Sequence, residues 1–204
     1  MNTNYPRILL AGTNSRVGKT TLTMGLISAL KKRGLTVQPF KAGPDYIDSS
    51  YHGYVSGRSC RNLDTWMLSR DTVLELFQRQ AEQSDISVVE GVMGLYDGVA
   101  AKEEGSSAHL AKILKSPVIL VVDARSLSRS AAAVVLGYKE FDRDVDLKGV
   151  ILNNIGSSAH FRSVKYSIEK TTGLAVLGFL PKDENLNLRE RHLGLIPAQE
   201  KRPL

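Results

Sequence analysis

An apolar strand, RILLAG, runs into a loop of small and polar residues, and that loop ends in Gly18-Lys19-Thr20-Thr21 at the head of an apolar helix. Few folds accommodate this order. The helix must begin where the strand ends and pack back across a sheet, with its free N–H groups left at the strand's carboxyl end. The rest of the chain repeats the pattern. Short β-rich runs at 7–11, 36–41, 86–90, 118–123, 149–153 and 176–180 alternate with amphipathic segments at 19–32, 65–83, 108–114, 128–141 and 158–172. The run Val118–Asp123, VILVVD, has no polar alternation before its final Asp. A strand of that kind is buried on both faces, as in a parallel sheet. The predicted fold is therefore α/β: a parallel sheet with helices on both faces and right-handed crossovers. Residues 1–185 read as one domain. Residues 186–204, weakly patterned and rich in charge and proline, read as a helix followed by a tail, or a linker.

At 204 residues a single core can be buried without staples. The one cysteine, Cys60, allows no disulfide within the chain and suits a reducing cytoplasm. The start, MNTNYPRILLAG, lacks the basic and long apolar parts of a signal peptide, and no run approaches the roughly 18–20 apolar residues needed to cross a bilayer. The expectation is a cytoplasmic protein with no membrane partner. The formal net charge of +6 is spread out, with no recognition helix or aromatic RNA-binding motif beside it. Small anionic ligands fit this charge better than nucleic acid does.

Gly18-Lys19-Thr20 is the end of a phosphate-binding loop. Thr13, Asn14, Arg16, Val17, Gly18, Lys19, Thr20 and Thr21 are the expected nucleotide-binding residues. Lys19 is expected to reach the β- and γ-phosphates, and the Thr20 hydroxyl a Mg²⁺ ion. The strict motif has four residues between its glycines; here five residues separate Gly12 and Gly18, so Thr13 takes the first glycine's place. No lysine stands at position 14, where ParA/MinD-type ATPases carry their signature lysine.

In an open α/β sheet, ligands meet the carboxyl ends of the strands. The second strand ends in Lys41-Ala-Gly-Pro-Asp45-Tyr-Ile-Asp48, where Gly43-Pro44 forces a turn and brings Lys41, Asp45 and Asp48 toward the phosphates. The third ends in Glu90-Gly-Val-Met-Gly-Leu-Tyr-Asp97-Gly. Glu90 stands where a magnesium-holding acid belongs, the glycines allow close backbone approach, and Asp97 faces the transferred phosphate or the substrate. At the fourth strand end, Asp123 either caps the next helix or supports the site. At the fifth, Asn153-Asn154 either pair with an adenine edge or form a turn. Cys60 reads as a structural thiol, and the four histidines show no metal-ligand spacing.

The segments GTNSRVGKTT, KAGPDYIDSSYH, NLDTWML, VVEGVMGLYDG, VVDARSLSRSAAA and GVILNNI together resemble the N-terminal domain of the cobyrinic acid a,c-diamide synthase family, itself related to dethiobiotin synthetase. The resemblance runs from Arg7 to about Pro181. It implies a P-loop domain that uses ATP and Mg²⁺ to phosphorylate peripheral carboxylates of a corrinoid polycarboxylate, after which ammonia displaces phosphate and leaves an amide. It further implies Lys41, Asp45, Glu90 and Asp97 as catalytic residues, Thr20, Asp45 and Glu90 as the magnesium set, and a possible homodimer. Two departures stand out. Ser49 replaces the proline of the usual KxGPDYIDP pattern, and nothing here matches the family's C-terminal glutaminase domain, so ammonia would come from a glutaminase domain or subunit outside this chain. Other readings are a related amidoligase (cobyric acid synthase, nickel-sirohydrochlorin diamide synthase or dethiobiotin synthetase type), a partitioning or switch ATPase, and a non-catalytic regulatory fragment. The EGVMGLYDG form favours the a,c-diamide type.

Overall fold

The computed structural model describes residues 5–183, together with the backbone of Glu190–Arg191 and Gly194–Leu195. Seven strands form one parallel sheet: β1 (Arg7–Gly12), β2 (Val37–Ala42), β3 (Arg61–Leu63), β4 (Ile86–Gly94), β5 (Val118–Asp123), β6 (Leu147–Ile155) and β7 (Ala175–Pro181). They lie in the order β3-β2-β4-β1-β5-β6-β7, with every neighbouring pair parallel. The helices are α1 (Lys19–Lys32), α2 (Ile47–Ser56), α3 (Arg70–Ala81), α4 (Ser107–Leu114), α5 (Ser130–Phe141) and α6 (Ser158–Thr172).

The expected burial of both sheet faces is observed, and β5 shows how it arises. Val118, Leu120 and Val122 enter the cluster covered by α3, α4, α5 and α6. Ile119 and Val121 enter the opposite cluster, covered by α1 and α2. Strand side chains alternate between faces, so a run apolar at every position serves two layers at once. Phe77 of α3 anchors the first layer against Phe40 of β2, ring centroids 5.2 Å apart. Truncating a buried aromatic of this kind to alanine costs about 3–5 kcal/mol.

Three elements differ from the sequence reading. Residues 47–56, which lie in none of the expected helical segments, form α2. Its buried side chains are Ser49, Tyr51, His52 and Ser56, so the inward face is largely polar and gives little apolar periodicity. β3 is a three-residue strand at the sheet edge, too short to show an alternating pattern. The helix expected over 65–83 begins only at Arg70. Asp64 Oδ1 accepts the N–H groups of Trp66 and Met67, folding that stretch into a turn, and Ser69 then caps the helix by accepting from the Thr72 N–H. Trp66, which a helix over 65–83 would carry among its apolar residues, is consequently 59% exposed.

β1 lies between β4 and β5, so the first crossover and the later ones leave it in opposite directions. A crevice opens at the carboxyl edge where strand order reverses in this way. The helix and tail expected from Leu186 onward lie outside the described residues, apart from the short antiparallel pair Glu190–Arg191 with Gly194–Leu195. No helix among the described residues is long and apolar enough to cross a membrane.

Candidate functional site

The loop between β1 and α1 is tied down on three sides. The Thr13 N–H donates to the Val121 carbonyl of β5 at 3.1 Å, and the Gly12 carbonyl accepts from the Leu95 N–H at 2.8 Å. The Tyr138 hydroxyl of α5 donates to the Thr13 carbonyl. Val17 is buried in the α1 layer, while Asn14 and Arg16 face outward. Gly18 caps α1 in the left-handed region, φ 95°, and a Cβ there would collide with the Asn153 amide. Both the conformation and the contact select glycine. Lys19, the first helical residue, turns back over the loop and donates to the carbonyls of Asn14 (3.2 Å) and Met93 (2.6 Å). Burial depresses its ammonium to about 8.

A second cluster joins β2, α2 and β4 beside this loop. Lys41 and Glu90 are register partners on adjacent strands. Glu90 Oε1 accepts from Lys41 Nζ and from the Thr20 hydroxyl of α1, both at 2.9 Å. Lys41 Nζ also pairs with Asp48 Oδ2 at 2.8 Å and donates to the Gly91 carbonyl at 3.1 Å. The other Glu90 oxygen, Oε2, is hydrogen-bonded to His52 Nε2. Burial alone would raise the Glu90 carboxyl, but Lys41 and His52 together hold it down at about 2. Burial likewise pulls the Lys41 ammonium down, and the Glu90 and Asp48 charges outweigh it and hold it above its ordinary value. Asp48 is pushed up, first by burial and then by the Glu90 charge, against the pull of Lys41.

Of the residues expected in the site, the fold brings Thr20, Lys41 and Glu90 into direct contact, with Lys19 next to Thr20 at the head of α1. The Asp45 carboxylate turns instead to its own backbone: Oδ1 accepts the N–H groups of Ile47 and Asp48 and caps α2. Asp97 is exposed at the end of the β4 segment, with Oδ2 accepting the Gly94 N–H at 2.8 Å. Asn153 donates its amide to the Val17 carbonyl at 2.9 Å and accepts from the Asn154 N–H, so both ends of its side chain serve the loops. The Asn154 amide reaches Asp123, which also holds Arg125.

Two contributors escaped the sequence reading. His52 contacts Glu90, and Asn62 of β3 donates to the carbonyls of Gly43 (2.8 Å) and Asp45 (2.6 Å), pinning the turn that carries Asp45 and Asp48. A signal for His52 existed, because it follows Asp48 by four residues and α2 places such a pair on one face. Asn62 opens the NLDTWML segment of the family resemblance, but nothing in the sequence tied its side chain to the Gly43–Asp45 turn. Cys60 is half-buried with its thiol pushed up to about 12 by burial, which fits the structural role expected for it.

The oxygen donors around Lys41 suit a small hard cation. A Thr20 hydroxyl and a Glu90 carboxylate in contact at the head of α1 match an ion that takes one or two protein oxygens and completes its shell with water and phosphate. No cluster of three or more His, Cys, Asp or Glu able to hold a metal occurs among the described residues.

Residues 8–196 match the CobQ/CobB/MinD/ParA nucleotide binding domain. Cobyrinate a,c-diamide synthase of Caldanaerobacter subterraneus subsp. tengcongensis is 50% identical over 192 residues, covering 94% of this chain and 42% of that protein. The synthase of the same name from Methanosarcina acetivorans is 49% identical over 203 residues, covering 98% of this chain and 41% of that protein. The chain thus spans about two fifths of the length of the curated relatives it matches. Among solved structures, chloroplast FtsY from Physcomitrella patens superposes with a TM-score of 0.60 at 19% identity, covering 91% of this chain and 65% of that one. The hydrogenase maturation factor HypB from Archaeoglobus fulgidus gives 0.56 at 11% identity, covering 90% and 83%. Likeness at such identities speaks for the P-loop fold alone. With the family match running almost the length of a parallel sheet that carries this loop and this acid, the chain belongs to the CobQ/CobB/MinD/ParA nucleotide-binding domain family.

Proposed function

We propose that the chain is the ATP-using synthetase domain, residues 1–185, of an enzyme that amidates the a- and c-acetate carboxylates of cobyrinic acid or a close tetrapyrrole in cobalamin biosynthesis. The observation that carries the reading is the buried Glu90 carboxylate, held at its ionised end of the titration and in contact with Thr20 and Lys41 beside the phosphate loop. The half-identical cobyrinate a,c-diamide synthases supply the substrate class.

A carboxylate resists amide formation because its oxygen leaves poorly. In the proposed reaction a carboxylate oxygen of the substrate attacks the γ-phosphorus of ATP, the bond from that phosphorus to the bridging oxygen breaks, and ADP departs. Ammonia then attacks the acyl carbon, phosphate leaves with its electron pair, and the nitrogen loses a proton. The chain's part is positioning and charge. The loop N–H groups of residues 13–21 and the head of α1 would cradle the phosphates, and Lys19 would exchange its carbonyl partners for the β- and γ-oxygens. Thr20 and Glu90 would hold Mg²⁺, with Asp45 reaching it only by giving up its cap; the ion would supply charge neutralisation on the phosphates. Lys41 would keep Glu90 and Asp48 in place and add positive charge. Asp97, exposed at the rim, would meet the substrate or ammonia. Asn153 and Asn154 would border the nucleotide from the β6 side. Ammonia would come from a glutaminase domain or subunit, and a homodimer would place two such sites in one particle.

The test is mass-spectrometric detection of amides from cobyrinic acid, Mg-ATP and high ammonia, with Glu90→Gln alongside. Mono- and diamide products that fall by about 100-fold or more in the variant support the reading. ATP consumption without amide from cobyrinic acid, dethiobiotin precursors or sirohydrochlorins would leave a switch ATPase as the better description.

A further inference from the structure

His52 is fully buried on α2, four residues after Asp48. Only one of its ring nitrogens has a partner: Nε2 meets Glu90 Oε2, while Nδ1 is buried with no hydrogen-bond partner. A buried polar nitrogen left unpaired opposes folding, and a leucine or methionine of similar bulk would pack there without that cost. The histidine is therefore explained by what Nε2 does and not by packing.

What Nε2 does follows from the Glu90 contacts. Oε1 receives both Thr20 and Lys41, and Oε2 receives His52. With donors on both oxygens, the carboxylate cannot rotate about its terminal torsion without breaking bonds at each end. With Oε2 released, either oxygen could face Lys41, and the oxygen beside Thr20 would no longer be defined. The inward face of α2 thus grips both halves of the buried pair: Asp48 holds Lys41, and His52 holds Glu90.

We propose that His52 is a positioning residue for the cation site, orienting Glu90 so that one defined oxygen lies beside the Thr20 hydroxyl. This rests on the reading of Glu90 as a cation-holding acid and goes beyond it by naming the group that sets its geometry. Partners that hydrogen-bond a ligating carboxylate typically change metal affinity by about 10–100-fold when removed.

Three substitutions isolate the effect. A glutamine amide nitrogen lies where Nε2 does, an asparagine amide nitrogen lies where Nδ1 does, and methionine fills the volume with no donor. The measurement is equilibrium binding of ATP to the full chain across a Mg²⁺ titration and in EDTA, with thermal melting of each variant. His52→Met and His52→Asn are expected to raise the Mg²⁺ concentration for half-maximal effect by about 10–100-fold while leaving binding in EDTA unchanged. His52→Gln is expected to stay close to wild type. Wild-type Mg²⁺ dependence in His52→Met overturns the proposal, as do equal Mg²⁺ dependences for His52→Gln and His52→Asn. Loss of ATP affinity in all three, equal with and without Mg²⁺, also overturns it, because that marks a purely structural role. A wild type whose ATP binding ignores Mg²⁺ removes the proposal together with the cation site. Mg²⁺-dependent ATP binding without amide formation would sink the amidation reading and leave the His52 comparison standing.

Discussion

Two buried lysines stand side by side in opposite surroundings. Lys19, at the β1–α1 loop, is held by two backbone carbonyls, Asn14 and Met93. Lys41, at the end of β2, is held by two carboxylates, Asp48 and Glu90. Burial weighs on both, yet one ammonium is depressed to about 8 and the other is raised. Carbonyl dipoles do not repay the loss of water around a charge, whereas paired anions do. The phosphate-loop lysine is therefore electrostatically unsatisfied and ready to exchange its partners for an anion. The β2 lysine is committed to the protein and organises the acids around it.

That contrast can be broken by experiment, most forcefully at Lys41. Lys41→Met leaves Glu90 and Asp48 without their shared cation and is expected to destabilise the fold by about 3–5 kcal/mol in a denaturant titration. Adding Glu90→Gln should restore part of the loss, because the two residues interact directly. A single-variant loss under about 1 kcal/mol, the range of an exposed pair, would mean that Lys41 is not committed as described.

Lys19→Met should do the reverse. Its carbonyl partners gain little from the ammonium, so melting should hold or rise, while ATP binding loses a charge-assisted contact of about 1.5–3 kcal/mol, roughly ten- to a hundredfold. Calorimetric titration with ATP reads this directly. A variant that binds ATP as wild type does would place the phosphates elsewhere.

The depressed Lys19 ammonium predicts two pH trends of opposite sign. Phosphate favours the charged form, so ATP affinity should decline as pH rises above about 8, by no more than about tenfold per unit. The unfolded chain keeps Lys19 protonated up to its ordinary 10.5, so from about 8 toward 10.5 the unfolded state binds more protons and this residue's contribution to stability rises with pH. Subtracting the same curves for Lys19→Met isolates both trends, and a flat difference would remove the contrast between the lysines.

The smallest effect belongs to Ser49→Pro. Ser49 sits in the first turn of α2, where a missing N–H is tolerated, and its hydroxyl bonds to the Asp45 carbonyl at 2.6 Å and to Asn62 at 3.2 Å. Proline would trade those bonds for a stiffer unfolded chain, with a net change within about 1 kcal/mol in thermal melting. A larger loss would show that the Ser49–Asn62 contact is what holds the corner beneath Lys41.

The elements that the sequence displayed most openly were those whose signal is local. VILVVD announced a strand buried on two faces because each face takes every second residue, and the GKTT run marked the head of α1 because a phosphate loop needs glycine at φ 95°. α2 was hidden because its buried face is Ser49, Tyr51, His52 and Ser56, which no apolar period reveals. Trp66 was misplaced because a single Asp64 carboxylate, bonding two N–H groups, made a turn out of an apparently helical stretch. The family resemblance singled out Asp45 and gave Asp48 no role; in the fold Asp45 accepts the first N–H groups of α2, and Asp48 is the acid that pairs with Lys41.

By itself, then, the sequence determined the sheet class, the phosphate loop and the acids and lysines at the strand ends, because backbone preference and side-chain period act over a few neighbouring residues. Only the tertiary structure decided which of those groups meet. Lys41 touches Glu90 because β2 and β4 are register neighbours, Thr20 reaches the same acid from α1, and His52 reaches its other oxygen from α2. Such contacts join residues far apart in the chain and depend on strand order and helix placement, which a one-dimensional pattern does not encode at any single position.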